Sequence, residues 1–304
     1  MRSSLPRWMR LGVYLGACLV FATSCVSAQS RYEPMGDEAF GVMLSFFGYD
    51  DIDLDARVIS RREFDDFTRY KITYNGSREQ RVPVYLAVPE SASRPVPVVI
   101  LLHGMPGHKE FWFDDESFLR GGLVTTALIE RGIAVAAPDA PMHGEREAFN
   151  DYRNPLAIWS NYTETLDGYR LLMQRATIET RRLVDYLEGH EELDASRIGV
   201  LGYSMGGQIA VYTAAADSRI QVTVSCVPGA TSPPLFGPIE FAPRLTKPFL
   251  LLHGNEDIYT PVDQVQALYD AVGSSTKDVE IYDTGHRLPP EYADRAGDWF
   301  EDHF

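Results

Sequence analysis

A serine between glycines placed two residues before it and two after it has the setting of a catalytic nucleophile. Gly202-Tyr203-Ser204-Met205-Gly206, followed by Gly207, has that form. The apolar run Ile198-Gly199-Val200-Leu201 precedes it, and helical spacing begins near Met205. A sharp strand-to-helix turn at this point exposes the serine oxygen and aims backbone amides at developing negative charge. A serine hydroxyl is a weak nucleophile and requires a base. His286 meets that need, because Thr284-Gly285-His286 follows a late strand pattern. The base requires an acid to fix its tautomer and to stabilise its charged form. Asp257, in His253-Gly254-Asn255-Glu256-Asp257, lies between serine and histidine in the chain, with Glu256 as its neighbouring rival. An oxyanion hole needs two amides. The expected donors are Met205, after the nucleophile, and Met105, after Gly104, where glycine would permit an unusual backbone angle. His103 is expected to pack and hydrogen-bond beneath that loop. His108 and His143 lie in loops that could touch the site, while His190 and His303 sit in charged, exposed settings. The chain has no H-E-x-x-H pair, so neither metal nor cofactor is expected.

The elements that must position these residues follow from hydrophobic periodicity. A helix is expected around Glu38 to Phe47. Strands are expected at Arg57 to Phe64, Thr68 to Tyr74 and Arg81 to Val88, giving an antiparallel start to the sheet. Asn75-Gly76 marks a turn between two of them. Pro83 suggests that the third is an edge strand. From Pro97 the pattern changes to continuous apolar strands alternating with helices. Strands fall at Val98 to Leu102, Ile133 to Ala137, Ile198 to Leu201, Ile220 to Val224, Phe249 to Leu252 and Val279 to Tyr282. Helices fall at Phe118 to Arg131, Thr165 to Leu187, Met205 to Ala216, Val262 to Val272 and Tyr292 to Phe300. Such alternation implies an α/β fold with a mostly parallel sheet covered on both faces. Residues 29–304 are expected to form one domain. Two stretches break the alternation, 140–161 and 228–248, and each is a possible lid or pocket wall.

The 304 residues are 45% hydrophobic and 23% charged, which belongs to an ordinary globular chain. A formal net charge of -15 argues against nucleic acid as a partner. Arg2, Arg7 and Arg10, then the apolar stretch Leu11 to Ala22, read as a signal peptide over residues 1–28. Val26-Ser27-Ala28 offers a cleavage site before Gln29. Ala22-Thr23-Ser24-Cys25 offers an alternative in which Cys25 is acylated and holds the protein on a membrane. Both readings place it outside the cytoplasm, periplasmic or secreted. Of three cysteines, a chain starting at Gln29 keeps Cys226, which reads as a core residue rather than a catalytic thiol.

Residues from about 80 to 300 resemble the dienelactone hydrolase and esterase group of the α/β-hydrolase superfamily. The resemblance is carried by His103-Gly104-Met105-Pro106-Gly107-His108-Lys109-Glu110, by Pro138-Asp139-Ala140-Pro141-Met142-His143-Gly144-Glu145-Arg146, and by Arg197 through Gly207. Asp217-Ser218-Arg219-Ile220 and Gly254-Asn255-Glu256-Asp257 extend it. It implies an eight-stranded sheet, a Ser204–Asp257–His286 triad and a metal-free, two-step acyl transfer to water. Dienelactone hydrolases proper use a cysteine nucleophile, so the serine here points to an esterase relative. The expected partner is a small or carbohydrate-linked ester. A serine peptidase or an acyltransferase of the same fold, and a non-catalytic exported binding protein, are the alternatives.

Overall fold

The computed structural model describes residues 35–77, 80–150, 166–230 and 236–304. The expected signal peptide, Cys25 and Gln29, the aromatic part of the first insertion with Tyr152 and Trp159, and residues 231–235 lie outside them. The strands are β1 (Arg57–Glu63), β2 (Phe67–Asn75), β3 (Arg81–Pro89), β4 (Val96–Leu102), β5 (Ala134–Pro138), β6 (Leu193–Tyr203), β7 (Ile220–Cys226), β8 (Phe249–Gly254) and β9 (Lys277–Tyr282). The main helices are α1 (Asp37–Ser45), α2 (Gly121–Glu130), α3 (Leu166–Glu188), α4 (Met205–Ala216), α5 (Pro238–Phe241), α6 (Val262–Ala271) and α7 (Tyr292–His303).

The strands form one sheet in the order β1-β2-β3-β5-β4-β6-β7-β8-β9. β1, β2 and β3 pair antiparallel, and β3 joins β5 antiparallel. From β5 through β9 every pairing is parallel. Nine strands are therefore present among the described residues, where family resemblance implied eight. Strand patterns in the residues themselves already numbered nine.

β3 is not an edge strand, as Pro83 had suggested. It lies between β2 and β5. Pro83 is tolerated because β3 pairs with β5 only from Val84↔Pro138 onward. Its missing N–H faces the point where β5 has ended, and its carbonyl still accepts the Asp139 amide at 3.0 Å.

The centre of the sheet is apolar on both faces. β4 buries six of its seven residues, and all of β5 and β8 are buried. Helix α4 is buried from Met205 through Thr213, so it lies inside the fold rather than on it. On the other face, α2 and α7 pack with Val99, Leu101, Val135, Leu201 and Val224 into one core cluster. The described part of the second insertion packs inward: Phe236 and Phe241 form an aromatic cluster with Phe47 and Tyr212.

Charged residues fasten the loops at the carboxyl ends of β4 and β5. Lys109 Nζ lies 2.8 Å from Asp139 Oδ2, with both side chains fully buried, and 2.6 Å from Glu145 Oε1. Asp139 also accepts the Lys109 and Glu145 amides. Arg146 pairs with Glu179 on α3 at 2.6 Å. A buried pair broken on one side leaves an uncompensated charge, which costs about 3–5 kcal/mol. Lys109→Met is expected to lose that much unfolding free energy in urea titration. A loss under about 1 kcal/mol would show that Asp139 is held by its amide partners alone.

Candidate active site

Ser204 sits between the end of β6 and the start of α4 with φ 56° and ψ −114°. A non-glycine residue with positive φ is held there only by its surroundings. The surroundings are two backbones crossing at close range. A Cβ on Gly202 would lie 1.9 Å from the Gly206 carbonyl oxygen, and one on Gly206 would lie 2.0 Å from that of Leu102. No side chain fits at either position, which is why the glycines flank the serine. The Ser204 amide donates to the Cys226 carbonyl at 2.8 Å, tying the turn to the end of β7.

The three residues expected to act together are joined by hydrogen bonds. His286 Nε2 is 2.9 Å from Ser204 Oγ, and His286 Nδ1 is 2.7 Å from Asp257 Oδ2. An ionised carboxylate can only accept, so Nδ1 carries the proton and donates to Asp257, leaving Nε2 to accept from the serine hydroxyl. Asp257, not Glu256, bonds the imidazole. The Glu256 side chain is exposed, and its amide bonds the Thr284 carbonyl.

Asp257 is gripped from its other side. Its Oδ1 accepts the Tyr259 amide at 2.8 Å and the Thr260 amide at 3.4 Å. Burial raises the Asp257 carboxyl pKa, but His286 and the Tyr259 amide outweigh it and hold the pKa below the usual carboxylate value. His253, one residue before the end of β8, donates from Nε2 to the Thr260 carbonyl at 2.9 Å and closes the loop. Sequence reasoning assigned His253 no part; its place next to a glycine at a strand end was the available signal.

Gly104 is not in the left-handed region, contrary to the reason expected for it; among described glycines only Gly132 and Gly144 are. Its role is proximity. A Cβ there would lie 3.1 Å from Ser204 Cβ and 3.8 Å from Oγ. The Gly104 carbonyl accepts from the Gly107 amide at 2.7 Å and from His103 Nδ1 at 2.9 Å. In the trans peptide that follows, the Met105 N–H points opposite that carbonyl. Met205 opens α4, where the helix N-terminus favours negative charge.

The remaining groups have structural partners. His103 Nε2 accepts the Ala140 amide, and its ring lies 5.2 Å from that of His143, which is buried. His108 bonds Glu110 at 2.7 Å. His190 and His303 are half-buried and distant in the chain from the serine. Cys226 is a buried free thiol whose pKa burial pushes up, so it stays protonated. Phe118 and Tyr259, both exposed, set their rings 6.1 and 4.8 Å from His286. Among the described residues, no cluster of three or more His, Cys, Asp or Glu side chains could hold a metal. No described helix is long and apolar enough to cross a membrane.

Residues 49–231 match the family model described as acetyl xylan esterase (AXE1), which covers more than half of the chain. The chain belongs to the acetyl xylan esterase family. Residues 170–300 also match a phospholipase/carboxylesterase model. Esterase YjfP of Escherichia coli (strain K12) is 26% identical over 257 residues, covering 73% of this chain and 95% of that protein. The 2,6-dihydropseudooxynicotine hydrolase of Paenarthrobacter nicotinovorans is 33% identical over 144 residues, 47% of this chain. That match spans 31% of the Paenarthrobacter protein, and another spans 54% of a relative from Bacillus subtilis (strain 168). Acetyl xylan esterase 1 from Thermoanaerobacterium sp. JW/SL YS485 has a similar fold, with TM-score 0.68 at 18% identity, covering 90% of this chain and 96% of that one.

The buried histidines make stability depend on pH. Burial lowers the pKa of His103 to about 4 and that of His143 to about 3, from 6.5. His190 and His253 are lowered too, while a bond to Glu110 raises His108 and opposes the trend. The unfolded chain takes up protons that the folded chain refuses below about pH 6.5, so stability falls as pH falls. The urea midpoint is expected to drop between pH 7 and 5, above the range where carboxylates titrate, and to drop less in His103→Gln. A flat midpoint would mean that these histidines are not buried as neutral groups.

Proposed function

We propose that the protein is a serine carboxylic-ester hydrolase that works through an acyl-enzyme. The observation that carries this reading is the unbroken hydrogen-bond chain from Ser204 through His286 to Asp257, built on a strained strand-to-helix turn. His286 takes the proton of Ser204 as the serine oxygen attacks the ester carbonyl. The tetrahedral oxyanion rests on the Met205 and Met105 amides. His286 then gives the proton to the leaving alcohol. Water repeats the sequence: it loses a proton to His286, attacks the acyl carbonyl and releases the acid and free Ser204. Asp257 holds the imidazole and balances its positive charge.

Family membership directs the substrate toward short acyl esters, acetyl first, on a small or carbohydrate-linked alcohol. The insertion 140–161 is proposed as a wall of the pocket, since it starts at the end of β5 beside His103. Export is proposed from the basic and apolar residues 1–28, with cleavage before Gln29 or acylation of Cys25 as the two routes.

Ser204→Ala is expected to fold as the wild type does and to lose p-nitrophenyl acetate hydrolysis by roughly 10⁴-fold or more. A fluorophosphonate should label the wild type at Ser204. Retained activity in the variant would remove Ser204 as nucleophile. A folded wild type that takes no label would favour a binding protein on this fold.

A further inference from the structure

The pattern around the nucleophile leaves two positions unspecified, and one of them is the residue between Gly202 and Ser204. Here it is Tyr203, the last residue of β6, and it is almost wholly buried. Its hydroxyl donates to the carbonyl of His286 at 2.8 Å. The same oxygen accepts the amide of Leu288 at 2.9 Å. Its ring meets the His286 ring edge-on at 6.2 Å, and Tyr292 packs against it at 5.9 Å. Burial pushes the phenol pKa up, so the hydroxyl remains a donor across the working range.

The loop that carries His286 runs from the end of β9 to α7. Loops hold position less tightly than strands. Other side chains tie this loop at its neighbours: Arg120 reaches the Leu288 carbonyl at 3.3 Å, and Arg287 reaches the carbonyls of Phe118, Ser117 and Glu116 at 3.2–3.4 Å. Tyr203 instead grips the backbone of His286 itself, with shorter bonds. It is also joined directly to Ser204 in the chain.

We propose that Tyr203 is a positioning residue that fixes the base to the nucleophile through its hydroxyl. The strand that presents Ser204 thereby also carries the anchor of His286. A shift of the base loop relative to the sheet must break both bonds to the hydroxyl before it can lengthen the 2.9 Å contact between Nε2 and Oγ. This inference rests on the triad reading given above.

The test is Tyr203→Phe, which removes one oxygen and keeps the ring. kcat for p-nitrophenyl acetate is expected to fall about tenfold to hundredfold, the scale set by small misplacements of catalytic groups. KM should stay within about twofold, and fluorophosphonate labelling should slow in step with kcat. Tyr74→Phe is the matched comparison. It removes another buried phenol oxygen, one that donates to the Glu179 carbonyl at 2.6 Å on the side of the sheet facing α3. That variant should keep its kcat. A Tyr203→Phe kcat within twofold of wild type would overturn the proposal, as would a loss confined to KM or an equal loss in Tyr74→Phe. Asp257→Asn measured in parallel separates the two levels. If it keeps full activity, the triad reading fails; if it loses activity while Tyr203→Phe does not, only the role of Tyr203 fails. Hydrogen exchange on the wild type adds a check that needs no variant to fold. The Leu288 amide should exchange slowly, and exchange at the unprotected rate would overturn the proposal.

Discussion

The crossing of β6 and α4 is the constraint on which the rest of the structure depends. Its glycines bring two backbones closer than any side chain permits. That closeness forces Ser204 to positive φ and lifts its oxygen clear of the sheet. The cost of the strain, of order 1–3 kcal/mol, is met by burial around it. α4 is enclosed on nearly every side, and β4, β6 and β7 fix the strand ends against which the turn is built. Without that enclosure the turn would relax toward ordinary angles and the serine would sink toward the sheet.

Each other part of the site is anchored to a neighbouring strand end. The Gly104–Met105 peptide follows β4, Asp257 follows β8 and His286 follows β9. Strand order therefore fixes the spatial order of the groups, and local hydrogen bonds set the finer geometry. His103 and Gly107 hold the Gly104 carbonyl, and His253 holds the loop that grips Asp257. In each case a buried neutral group bonds a main-chain atom. Such bonds persist in a dry setting, where an unmet donor or acceptor is costly.

Much of this was legible in the sequence because local signals and long-range needs agreed. Met205–Ala216 falls where helical spacing placed it, and the central strands fall within a few residues of their apolar runs. Ser204, His286 and Asp257, which hydrogen bonds join, could be singled out as candidates because glycine-bearing strand ends are strong local marks. Other features could not be read. Pro83 misled because its consequence depends on where β5 stops, which is a property of a different segment. Gly104 is a glycine for reasons of space, and space is set by Ser204, a hundred residues away in the chain. Tyr203 carried no mark at all, since its partners come from a loop 83 residues downstream.

Ser204, Asp257 and His286 lie far apart in the chain: the serine and histidine are 82 positions apart, and the histidine and the acid 29. Contacts of such separation form late, after the chain has met the entropy cost of closing long loops. No short stretch of this polypeptide can hold a reactive serine. A half-folded chain is therefore chemically silent, and the appearance of an activated hydroxyl marks the moment at which the whole sheet has come together.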